Sequence, residues 1–179
     1  MKPLSPAIER FVLRWGDLGG QWGLSRSVSQ MHALLYVSER PLTAEDIADA
    51  LAMARSNVSN SLKELLAWDL IRRVPIKGDR RDHFEAETDI WELGRKIAAG
   101  RKAREIDPAL AALKDCLADS ESDPAVHPVA VKRLKQMLAF TETLDRWYVQ
   151  ILKVPQSKLA ATMRLGAKVI DFLPVGKAR

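Results

Sequence analysis

The sequence predicts a mainly α fold with one small β-hairpin (α+β), in which two short helices and the hairpin lie between longer helices toward either end of the chain. Three observations lead there. Apolar residues recur at three- and four-residue spacings over most of the 179 residues, the pattern of amphipathic helices. That rhythm breaks at Leu70-Ile71-Arg72-Arg73-Val74, a short and partly β-branched run followed by Lys77-Gly78-Asp79 and His83-Phe84-Glu85-Ala86, which reads as a hairpin. Just before the break, Ile47 to Lys63 is rich in Ala, Ser and Asn, and its apolar positions suit two short helices crossing at a tight turn.

Bulk composition supports a folded chain, with 47% hydrophobic and 28% charged residues, and excludes a disordered one. No run of about 18 apolar residues occurs, and the start lacks a charged segment followed by an apolar one, so neither secretion nor a membrane span is expected. Cys116 is the single cysteine, which rules out an intrachain disulfide and a multi-cysteine metal site; a reducing, cytoplasmic location is expected. The formal charge of +5 permits nucleic-acid binding without demonstrating it. Between Thr43 and Glu87 there are seven basic residues against nine acidic ones, so any case for DNA rests on where the charges stand.

The elements follow in order. Ile8, Phe11, Val12, Trp15, Leu18 and Trp22 form one stripe of a helix from Ser5 to about Trp22, whose end Gly19, Gly20 and Gly23 should loosen. A second helix spans roughly Ser27 to Ser38, and Pro41 closes the connection behind it. Thr43-Ala-Glu-Asp46 then offers a partial capping box for a third helix, with two acids at its positive end. Beyond the hairpin, Trp91, Leu93, Ile97 and Ala98 restore helical spacing to about Asp107, where Asp107-Pro108, an Asp cap followed by proline, should kink or restart the helix. After a polar loop from Asp119 to Pro128, two more helices are expected, Val129 to about Lys153 and Ser157 to about Phe172.

The informative segment is Ile47 to Lys63. Small Ala48 permits close approach of the two helices, while Ile47, Leu51, Met53, Val58 and Leu62 fill their shared core. The second helix is then left to present Arg55, Ser56, Asn57, Ser59, Asn60 and Lys63 outward, a face of short hydrogen-bonding side chains suited to base edges. Arg72, Arg73, Lys77, Arg80 and Arg81 surround one β-turn beside it, more guanidinium than solubility requires. Together these make a winged helix-turn-helix, with one helix in the major groove and the hairpin reaching toward a minor groove.

These phrases carry a family resemblance. AEDIADALAMARSNVSNSLKEL, WDLIRRV and GDRRDHFEAETDIW resemble the helix-turn-helix, the strand entering the wing, and the wing of the MarR superfamily of transcription factors, particularly its GbsR-like branch. The resemblance runs from about Phe11 to Arg104. It implies that Asp79 and Arg81 match the family's Asp-x-Arg wing signature, the acid orienting an arginine that enters the minor groove, and that Lys63 serves phosphate. It also implies a homodimer made by N- and C-terminal helices on a pseudo-palindromic double-stranded operator, and a role in transcription that is commonly repression. The domains expected are 1–24 (N-terminal dimerisation helix), 25–88 (winged helix-turn-helix) and 89–179 (C-terminal helical dimerisation region). The full DNA-binding set is Arg55, Ser56, Asn57, Ser59, Asn60, Lys63, Arg72, Lys77, Asp79, Arg80 and Arg81. Ala52 stands where such turns commonly have Gly, and Ala54 where the reading helix commonly has a Ser-type cap; each departure should cost about 1 kcal/mol.

Other constellations favour plainer readings. His32, His83 and His127 lack ligand spacing, so no metal is expected. Cys116 lies near Leu113 and Leu117 and is expected to be a buried small hydrophobe. No phosphate-binding glycine loop, nucleophile elbow or acid-base set is present, so no enzyme activity and no cofactor are expected. Trp15, Trp22, Phe140, Trp147 and Tyr148 mark terminal helices. Their spacing favours packing, with an aromatic pocket for a cationic small-molecule effector, as the GbsR-like resemblance suggests, as the alternative. Against DNA binding stands one rival, a winged-helix adaptor for another protein, which the net acidity of the central segment would suit.

Overall fold

A computed structural model describes residues 4–21, 23–166 and 168. Its elements are α1 (Pro6–Gln21), α2 (Arg26–Tyr36), β1 (Leu42–Thr43), α3 (Ala44–Leu51), α4 (Arg55–Ala67), β2 (Ile71–Ile76), β3 (Asp79–Ala86), α5 (Ile90–Arg101), a π-helical stretch (Lys102–Ile106), α6 (Asp107–Ser122), α7 (Pro128–Ile151) and α8 (Gln156–Leu165). The chain divides into two compact units, Met1–Ile97 and Ala98–Arg179. Trp22, and the end of the last predicted helix, lie outside the described residues.

In the first unit the core is built where the periodicities cross. Val12 of α1, Val28, Met31 and Leu34 of α2, Ile47 of α3, and Val58, Leu62 and Leu65 of α4 are all buried, with Leu70, Ile71, Phe84 and Leu93 closing the base of the wing. Sequence reasoning expected two strands; there are three, in the order β1-β3-β2. Leu42 and Thr43 pair with Phe84 and His83, an added strand too short to leave an alternation signal. Thr43 has two roles. It ends β1 and caps α3 with a complete capping box, its Oγ1 accepting from Asp46 N at 3.1 Å and its own N donating to Asp46 Oδ2 at 3.1 Å.

Two glycines of α1 also have a packing role. The helix runs unbroken to Gln21, and Gly16 and Gly19 are where it meets α2. A Cβ on Gly19 would stand 1.9 Å from Ser29 Oγ and 2.4 Å from Ser29 Cβ, and one on Gly16 would stand 2.4 Å from Gln30 Cγ. The absence of side chains lets the two helices approach closely.

His32, in α2, is 6% exposed, and its Nε2 has no hydrogen-bond partner among the described residues. Burial lowers its pKa from 6.5 to about 4, because the charged ring would lose its hydration. The unfolded chain therefore takes up a proton that the folded chain refuses between those values. Stability present above pH 6.5 should decline as pH falls toward 4, by about 3 kcal/mol at most, and then level off. Replacing His32 with Gln should flatten this part of the Tm-versus-pH curve; identical slopes in the two proteins would refute the assignment.

The second unit is different in character. None of its helices contains a buried residue. Helices α6 and α7 pack together and are joined by Lys135–Glu121 at 2.6 Å, while Lys102 pairs with Asp107 at 2.5 Å and Asp145 at 2.7 Å. The helix changes character at Asp107-Pro108, as expected, but Asp107 is not its N-cap. Asp107 has helical dihedrals (φ −61, ψ −46), and its N–H donates to Lys102 O across a π-turn. Pro108 offers no N–H to continue the α pattern, and one widened turn absorbs the defect without ending the helix. Cys116 is exposed rather than buried, since α6 has one flank on α7 and Cys116 lies off it. No described helix is long and apolar enough to cross a membrane.

Candidate nucleic-acid interface

Helix α4 divides its residues as the crossing of two helices demands. Val58, Ser61, Leu62 and Leu65 are buried, which turns Arg55, Ser56, Asn57, Ser59, Asn60 and Lys63 outward, all of them exposed. Among the described residues, Asn57 is the reading residue whose side chain is engaged: its Oδ1 accepts from the Ser61 hydroxyl at 3.5 Å. Ser61, not anticipated from the sequence, is held in turn by Ser27 of α2 at 3.4 Å.

The turn ahead of α4 is strained where sequence suggested. Ala52 is left-handed (φ 50, ψ 43), and Met53 N donates to Ala48 O at 3.0 Å to close the loop. Ala54 occupies the N-cap with extended dihedrals and makes no side-chain cap bond. The first backbone N–H groups of α4 are thus left without the usual side-chain acceptor, at the end of the helix that favours an anion.

The wing reverses through Lys77 and Gly78, with Gly78 at φ +86 between the paired Ile76 and Asp79. Between Val74 and Ile76 the single residue Pro75 of β2, which has no N–H for the ladder, stands against residues 80–82 of β3, so the bulge lies on β3. Asp79 therefore opens β3 instead of sitting in the turn. From there its carboxylate accepts from Arg81 N at 3.0 Å, from Arg81 Nε at 3.0 Å and from Arg81 Nη2 at 2.5 Å. These bonds, first among them the guanidinium's, hold the Asp79 carboxyl well below the usual carboxylate range. The clasp grips one edge of the guanidinium and leaves Nη1 to donate elsewhere.

His83 is buried behind this clasp, its Nδ1 3.0 Å from Arg81 O and its Nε2 3.5 Å from Asp79 Oδ2. Arg72 pairs across the strands with Glu85 at 2.6 Å. Lys77 and Arg80 are exposed at and beside the tip. The base of the hairpin is tied down by Lys96 of α5, which reaches Asp69 at 3.1 Å and Glu87 at 3.3 Å.

A helix with an exposed polar face, packed by its apolar face on the same core as an arginine-bearing hairpin, is a winged helix-turn-helix. Residues 22–82 match the family model described as "MarR family". The match covers the winged helix-turn-helix itself, and the protein is a DNA-binding transcriptional regulator.

The likeness extends past the matched segment. YvaV of Bacillus subtilis (strain 168), named as an HTH-type transcriptional regulator, is 22% identical over 153 residues, covering 80% of this chain and 86% of that protein. The HTH-type transcriptional repressor GbsR of the same organism is 21% identical over 156 residues, 86% of this chain and 83% of its own. Among solved structures, a protein described as a transcriptional regulator superposes with a TM-score of 0.66 at 22% identity, over 82% of this chain and 96% of that one, which shows that the fold is shared.

Trp15 packs on the core of the first unit and stacks at 5.7 Å on Phe11. In the second unit Trp147 meets Tyr148 edge-on at 5.4 Å, while Phe140 and Trp147 are 64% and 54% exposed.

Proposed function

We propose that this regulator acts as a GbsR-like repressor: a homodimer whose two α4 helices enter neighbouring major grooves of a pseudo-palindromic operator while Arg81 of each wing enters a flanking minor groove. The observation that carries the reading is the shared core beneath α4 and the wing. It fixes an exposed row of Arg55, Ser56, Asn57, Ser59, Asn60 and Lys63 beside a hairpin bearing Arg72, Lys77, Asp79, Arg80 and Arg81. Short amides and hydroxyls suit base edges, and the longer cations suit phosphates. Occupation of a promoter represses, which agrees with the name of the GbsR relative.

Dimerisation is assigned to the helices outside the reading module, residues 1–24 and 89–179. Support comes from the apolar side chains left in the open there, Leu13 and Leu18 on α1 and Met137, Phe140 and Trp147 on α7, more than an isolated helix pair keeps in water. With Trp15 committed to packing, Phe140, Trp147 and Tyr148 are the aromatic faces left for a cationic small-molecule effector. Action on a chromosomal operator implies a cytoplasmic location.

An electrophoretic shift with the DNA upstream of its own gene tests the reading, with Asn57→Ala as the informative variant. If the Asn57 amide contacts a base edge, the variant should change preference among operator variants by about 1–3 kcal/mol at one position. An equal loss on every sequence would reduce Asn57 to a backbone contact, and no shift by the unmodified protein would remove the proposal.

A further inference from the structure

Arg73 is the register partner of Phe84, and Arg80, Arg81 and Asp82 follow on the irregular stretch of β3 between Asp79 and His83. A cleft of about 460 Å³ lies between this part of the wing and α4, lined by Ser59, Lys63, Arg73, Arg80 and the Asp79-clasped Arg81 together with two carboxylates, Glu45 and Asp82. Arg73 Nε is 3.4 Å from Asp82 Oδ2, and both side chains are more than half exposed. Lys63 and Arg80 have no ion-pair partner among the described residues.

We propose that this cleft seats one backbone phosphate of duplex DNA, held by Lys63, Arg73 and Arg80, and that Asp82 occupies Arg73 until the phosphate displaces it. The proposal rests on the docking of α4 and the wing on one duplex, and it adds Arg73, Asp82 and Glu45 to the interface. A phosphodiester is a monoanion with two free oxygens, which a guanidinium fork and two further cations can share. An exposed pair at 3.4 Å is held weakly, so the exchange is easy. Asp82 stays beside the seat after the exchange, however, and Glu45 stands in the same cleft at the first turn of α3. Both repel the incoming anion. The excess of acid over base in this segment thereby acquires a physical role. It holds down sequence-independent binding, which is driven by phosphate neutralisation, and leaves base contacts to decide where the protein stays.

The test is fluorescence anisotropy with a mixed-sequence duplex of about three helical turns, titrated at several salt concentrations. Asp82→Asn should bind about 3- to 10-fold more tightly, with a log-log salt slope steeper by up to about 0.9, because no displaced carboxylate is left to take up a counterion when the phosphate seats. Arg73→Ala should shift both quantities the opposite way. Glu39→Gln, exposed in the loop before β1 and outside the lining of the cleft, makes the same change in net charge and should leave affinity within about twofold. Equal gains from Asp82→Asn and Glu39→Gln, or no gain from Asp82→Asn, would overturn the phosphate seat while leaving the docking of α4 and the wing intact. Failure of the unmodified protein to bind any duplex would overturn both.

Discussion

Arg81→Ala should weaken binding to operator DNA by about 10- to 100-fold, equivalent to about 1–3 kcal/mol, with little change in thermal stability. The two halves of that expectation have separate causes. Stability is insensitive because the Arg81 side chain is 58% exposed and its pair with Asp79 sits in water, where such pairs contribute little. Binding is sensitive because the guanidinium is already oriented. Asp79 holds its Nε and Nη2 edge, so the ordering cost of a long side chain is met before DNA arrives. Asp79→Ala should accordingly lose part of the same affinity although it removes a negative charge from the wing, a sign that simple electrostatics would not give. Affinities at one fixed salt concentration, with melting curves of the same samples, check both variants. Arg81→Ala binding with parental affinity would contradict the minor-groove role.

Gly19→Ala should destabilise the first unit by about 1–3 kcal/mol, although alanine is the better helix former. The added methyl group would lie 2.4 Å from Ser29 Cβ, and Ser29 is buried, its hydroxyl donating to Ser25 O at 3.2 Å. It has no open space to turn into. For a chain of this length each kcal/mol should lower Tm by about 2–4 °C. Ser29→Gly should lose less in the Gly19→Ala background than alone, because it removes the colliding atom. Gly20→Ala is the control, since nothing lies within 4 Å of its added carbon. Equal Tm values for the Gly19 and Gly20 variants would mean that α1 and α2 do not approach as described.

The helix-turn-helix was legible because every apolar position there has one place to go. Ile47, Val58 and Leu62 fall at helical spacing and are buried, and what they leave outside is the reading face. The left-handed Ala52 and the uncapped Ala54 were legible too, since only a turn of that shape connects helices so close in sequence. Other features left no local trace. The two-residue β1 is a strand only because Phe84 and His83 lie beside it. The packing role of Gly19 was not legible because what it touches is ten residues away on another helix. Asp107 looked like a cap because Asp-Pro is a common start, whereas a π-turn is a tertiary solution to a missing N–H. Cys116 was expected inside because leucines flank it at helical spacing, but α6 is covered on one flank only. The charges at the α4-wing cleft escaped notice because a count of acids and bases says nothing about which of them face each other.

That α4 and the wing form one rigid surface for duplex DNA is best checked by hydrogen exchange on the intact protein, with and without its operator. DNA should slow exchange together in the first turns of α4, residues 55–63, and at the hairpin tip, residues 76–82, since a rigid surface docks as a unit. Protection of either segment without the other, or of neither while binding is saturated, would show that the two do not act as one surface.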